Sequence, residues 1–171
     1  MGRAAKIVLV FSLLLSGADL ARAYTLKSDE GKFSVEFPAA PEARIMRGVG
    51  SCESIRHEFR FLQGKRSWLA IYKDCKPPGM LADFGIPQAL RDFSKGMAQV
   101  LHGEVRANDP IELGTVPGRE FLVYIERTNL VVRGRVFVKG DRVYQVMYAG
   151  PAGTHEEPDI ESFFASFRIM R

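Results

Sequence analysis

The chain has 171 residues, 46% of them hydrophobic and 26% charged, with a formal net charge of +4 and only two cysteines. A chain of this size buries enough surface for a core without metals or a dense disulfide framework. The modest charge argues against a nucleic-acid or anionic-membrane binder.

The first 23 residues read as an export signal. Arg3 and Lys6 form a basic start, Ile7 to Leu15 a short apolar run, and Ala21-Arg22-Ala23 a cleavage site before Tyr24. The apolar run is about half the ~20 residues a membrane-spanning helix needs. No cysteine lies near the cleavage site to take a lipid. Cleavage would leave residues 24–171 as one domain, nearly charge-balanced, soluble, and periplasmic or extracellular.

Alternation of Phe33, Val35 and Phe37 with Ser34 and Glu36 predicts a half-buried strand, stopped by Pro38 and Pro41. Residues 42–50 read as loop or irregular strand. Two stretches rich in β-formers follow, "SIRHEFRFL" and "SWLAIYK", bracketed by Cys52 and Cys75. With Gln63-Gly64 as a two-residue loop, Cys52 would face Cys75, Phe59 would face Trp68 and Ile55 would face Tyr72. Opposed strand residues lie about 4.5–5.5 Å apart at Cα, within disulfide reach. Gln is a poor first residue for a type I′ loop, so a four-residue loop stays open as the alternative. In an oxidising compartment the expectation is a structural Cys52–Cys75 disulfide. A redox pair would normally be closer in sequence and beside a helix start.

"KPPGMLADFG" reads as a linker. "IPQALRDFSKGMAQVLHG" is the clearest helix, with Leu90, Phe93, Met97 and Leu101 at helical spacing, Pro87 in its first turn and Gly103 at its C-cap. Strands then run through Pro117-Gly118 and into a hairpin that turns at Gly140-Asp141. "EEPDIESFFASF" is a final short helix before "RIM". Strands, helix, strands, helix implies α+β: an antiparallel β-sheet with helices packed on it.

The search for chemistry finds no catalytic constellation. His57, His102 and His155 are widely separated and match no ligand motif. "THEEPD" (residues 154–159) reads as a helix start, with Thr154 and Glu157 as a capping box, rather than as a metal site. "RGVGSCES" is neither a nucleophile elbow nor a phosphate loop. Arg133, Arg135 and Lys139 share one strand face opposite Val132, Val136 and Val138; the expectation is a solvated face, with contact to an anion or a partner as the functional alternative.

Three stretches together resemble PsbP-like domains: "SDEGKFSVEFPAAPEA" their opening strand, "VVRGRVFVKGDRVYQVMYAG" their penultimate hairpin, and "IESFFASFRI" their closing helix and strand. The resemblance implies a PsbP-like α/β/α sandwich among small exported or assembly-associated proteins. No binding residue of that family maps onto this sequence. The leading expectation is therefore a non-enzymatic periplasmic accessory or binding module without cofactor or metal, its partner a periplasmic or envelope protein. The alternative is a small-molecule or anion-binding domain using a cleft near the basic strand face, and an unrecognised hydrolase ranks third.

Overall fold

The computed structural model describes residues 23–47 and 55–170. Strands β1 (Tyr24–Ser28), β2 (Phe33–Phe37), β3 (Glu42–Arg47), β4 (Ile55–Gln63) and β5 (Arg66–Asp74) precede helices α1 (Met80–Phe84) and α2 (Ile86–Leu101). Strands β6 (Glu104–Leu113), β7 (Val116–Ile125), β8 (Leu130–Lys139) and β9 (Arg142–Pro151) follow, then α3 (Pro158–Ser166) and β10 (Arg168–Ile169).

Two antiparallel meanders, β3–β5 and β6–β9, join where β5 pairs with β9, giving one sheet in the order β3-β4-β5-β9-β8-β7-β6. The connection through α1 and α2 carries the chain from the seam to the far edge. A smaller antiparallel sheet, β1-β2-β10, stands apart. β9 lies inside the sheet and is buried from Val143 to Tyr148, so both of its faces are covered. Tyr144, Val146 and Tyr148 join Trp68, Tyr72 and Phe137 beneath the small sheet and α3, whose Phe33, Phe37 and Phe163, with Phe167 between α3 and β10, complete that core. Val143 and Met147 point the other way, toward α1 and α2. Period-two alternation on the strands thus separates two cores. The fold is α+β, with helices on both faces of an antiparallel sheet.

Four local expectations are corrected. The β4–β5 loop is Gly64-Lys65, with Gln63 opposite Arg66, one residue later than Gln63-Gly64. Gly64 takes the left-handed φ of +58° as first loop residue, the place of glycine in a type II′ loop. Phe61 therefore faces Trp68, and His57 faces Tyr72 and stacks on it at 4.4 Å. The two-residue shift keeps every side chain on its expected face. Residues 42–47 form a regular strand. The C-cap of α2 is His102, which takes the left-handed φ of 51°, while Gly103 serves close approach: a Cβ there would lie 2.7 Å from the Tyr124 carbonyl oxygen. The N-cap of α3 is Glu157, not Thr154. The Thr154 hydroxyl instead bonds the Tyr148 hydroxyl and the Pro151 carbonyl, at 2.7 and 2.8 Å.

Candidate functional site

A cleft of about 680 Å³ opens between the start of α2 and the β6–β7 hairpin. Ile86, Pro87 and Leu90 form its helical wall; Pro110, Ile111 and Pro117 form its strand wall. Gly118 forms part of the floor because no side chain fits there: an added Cβ would lie 2.6 Å from the Val136 carbonyl oxygen. Arg91 and Arg119 supply the polar rim. The Arg91 guanidinium donates to Gln88 Oε1 at 2.7 Å, and Arg119 Nε donates to Asn108 Oδ1 at 2.6 Å. Asn108 also donates to the Arg91 carbonyl oxygen, tying the strand wall to the helix. Both guanidiniums are thus oriented by neutral oxygens, and Glu112 is the single carboxylate in the lining, ion-paired to neither of them. An apolar trough with surplus positive charge suits an elongated apolar ligand that carries an anionic group.

A second cleft of about 380 Å³ lies beside Arg133. Here Arg133 and Arg135 flank Glu120: Arg133 Nε donates to Oε1 at 2.7 Å and Arg135 Nε donates to Oε2 at 2.8 Å. Arg133 also binds the Glu161 carboxylate and donates to the His155 carbonyl oxygen at 2.8 Å. Both guanidiniums lie over the Phe164 ring, at 4.9 and 5.2 Å from its centre. Burial alone would push the Glu120 carboxyl up, but the two arginines outweigh it and hold the group below the usual carboxylate range. With Asp109 and Glu156 also in the lining, carboxylates outnumber cations. The face expected to be solvated is covered by α3, and its positive charge is matched internally. Lys139 sits exposed at the end of β8, opposite Arg142 in the ladder and outside this network.

The main sheet, with α1 and α2 on one face and α3 and the small sheet on the other, carries both clefts. It is similar to the solution structure of cyanobacterial PsbP (CyanoP) from Synechocystis sp. PCC 6803, with a TM-score of 0.61 over 90% of this chain and 95% of that one. The fold is PsbP-like. Sequence identity to that PsbP is 10%, so the likeness is one of architecture. No family model matches the chain. No curated protein matches it in sequence.

The PsbP-like frame keeps the three histidines apart. His57 stacks on Tyr72 in the main sheet, His102 caps α2, and His155 lines the cleft beside Arg133. The acidic "THEEPD" cluster is held by Arg66 from the β4–β5 hairpin, 2.7 Å from Glu157 and 3.7 Å from Asp159. Among the described residues, no three His, Cys, Asp or Glu side chains gather as a metal site. Cys75 is 3% exposed and packs with Leu81, Leu90 and Val143; Cys52 lies outside the described residues. No helix among the described residues is long and apolar enough to cross a membrane.

Arg91 and Arg119 are functional candidates that sequence reading missed. Pro87 and Pro117 read there as punctuation, whereas in the fold they line facing walls of one trough. Their spacing along the chain carries no sign of this, because the trough depends on how α2 lies across the sheet.

Proposed function

We propose that this chain is an exported, non-enzymatic accessory module that holds an extended apolar segment of an envelope protein in the α2/β6–β7 cleft. The supporting observation is the pairing of apolar walls with two guanidiniums that form no ion pair with a carboxylate among the described residues. A bound segment would lay aliphatic side chains between Ile86 and Ile111 and present an acidic group to Arg91 and Arg119. Charge-assisted hydrogen bonds to those two groups would fix its direction. The separation of the histidines supports a binding role over catalysis. Export rests on the signal pattern of residues 1–23, and a Cys52–Cys75 disulfide fits that compartment. Contact of Arg133, Arg135 and Lys139 with an anion is the weaker proposal, since Glu120 and Glu161 already engage both arginines.

Native mass spectrometry of the unreduced protein, purified from the exported fraction, tests this reading. The expected result is a chain starting at Tyr24, two hydrogens lighter than the dithiol, with a second polypeptide retained. Arg91→Glu and Ile111→Asp should each lower that retention about tenfold or more, the size of one lost hot-spot contact. Equal retention by the wild type and both variants would overturn the cleft as the binding site.

A further inference from the structure

The two edges of the main sheet are built differently. β6, at one edge, carries a bulge between Val105 and Ala107, a proline at position 110 and a flanking helix. Each of these discourages another strand from adding to that edge. Among the described residues, β3 at the other edge has none of them. Its six residues, EARIMR, pair with β4 in unbroken register, and all six side chains are exposed. Ile45 is 72% exposed and Met46 is 47% exposed. An open, regular edge strand with bare aliphatic side chains is a template for strand addition.

We infer that β3 pairs with β3 of a second copy of this chain, making one continuous antiparallel sheet across a two-fold axis. An axis perpendicular to the sheet keeps the same face upward in both copies, so only residues of equal parity stand opposite one another. That leaves few registers. Centring on Arg44 opposes two arginines, which is destabilising. Centring on Ala43 carries the pairing to Pro41, which has no N–H to give. Centring on Ile45 opposes Ile45 to Ile45, Arg44 to Met46 and Ala43 to Arg47, with no like charges facing. Arginine stems then cover methionine and alanine, and both exposed aliphatic residues leave water. Centring on Met46 would pair only residues 45–47 before running past the end of β3, whereas centring on Ile45 pairs residues 43–47. Ile45 is therefore the central residue of the contact, at the opposite edge of the sheet from the α2 cleft.

Site-specific cross-linking tests both the partner and the register. Under mild oxidation Ile45→Cys should link to itself as a covalent dimer, its linkage mapped by peptide mass spectrometry. Met46→Cys alone should link poorly, yet a mixture of Arg44→Cys and Met46→Cys chains should give the mixed dimer. Without cross-linking, Ile45→Lys should weaken dimerisation about tenfold or more in analytical ultracentrifugation, because two lysines then oppose each other, with the circular dichroism spectrum unchanged. A wild type that stays monomeric at high concentration, together with an Ile45→Cys chain that forms no dimer, would overturn the inference. Linkage of position 45 to a different protein would overturn it as well.

Discussion

Glu120 holds together charges that would otherwise repel. Arg133 and Arg135 lie two residues apart on one strand face, both over the Phe164 ring, and the two oxygens of Glu120 are each engaged by one of them. Removing that carboxylate leaves two half-buried guanidiniums facing each other. Glu120→Gln should therefore cost about 2–4 kcal/mol in urea denaturation. The pH dependence has a definite sign. The carboxyl is held below its ordinary value in the folded state, so its contribution is complete above about 4.5 and is lost as pH falls through the lowered value. The gap between wild type and Glu120→Gln should narrow in acid, and a constant gap would show that Glu120 acts only through packing. The common face of the arginines was legible in the sequence, since strand parity assigns it. Their neutralisation was not, because Glu120 and Glu161 lie 13 and 28 residues from Arg133 and reach it only through the β7–β8 register and the docking of α3.

At the level of elements, α2 shows what periodicity reveals and what it leaves hidden. The 3.6-residue spacing located the helix and the side it packs with, and Pro87 marked its first turn, but of the expected stripe only Leu90 is fully buried, Ser94 and Ala98 being the other buried residues. Gly96 is exposed, with nothing within 4 Å of an added Cβ, so no packing reason holds a glycine there. Gly96→Ala should raise stability by about 0.5–1 kcal/mol, read as a higher urea midpoint with an unchanged slope. Gly134→Ala should do the opposite, since its Cβ would come within 2.4 Å of the buried Phe121 ring. The Gly140-Asp141 hairpin was equally plain from sequence. At Gly64 the glycine marked the turn but not the register, because a two-residue loop can place it first or second. Only the ladder between Phe61 and Trp68 decides which.

Across the whole molecule, the order of strands and helices announced an antiparallel sheet with helices upon it, and the fold has that form. The seam between the two meanders was not legible. It joins β5 to β9 through pairs such as Asp74 and Arg142, 68 residues apart, and no local pattern marks such a partnership. Phe167 has a comparable long-range role. It is 3% exposed, stacks on Phe137, and meets Phe33 and Tyr144, so one ring connects the main sheet, the small sheet and the end of α3. Phe167→Ala should cost about 3–5 kcal/mol. Hydrogen exchange should accelerate first in β1, β2 and β10, before the β5–β9 seam. Uniform acceleration throughout would mean that the small sheet has no stability of its own to lose.

The pairing of β2 with β10 also sets a timetable for biogenesis. The Glu36 amide donates to the Ser166 hydroxyl across 130 residues, and the Met170 amide donates to the Lys32 carbonyl. A ribosome therefore makes Phe33, Val35 and Phe37 long before it makes the strand and ring that cover them. Until then that greasy face lacks its partners on the nascent polypeptide, within reach of any chaperone that meets it. The small sheet cannot close before α3 and β10 have been synthesised, so its completion waits on the most distant contacts in the fold.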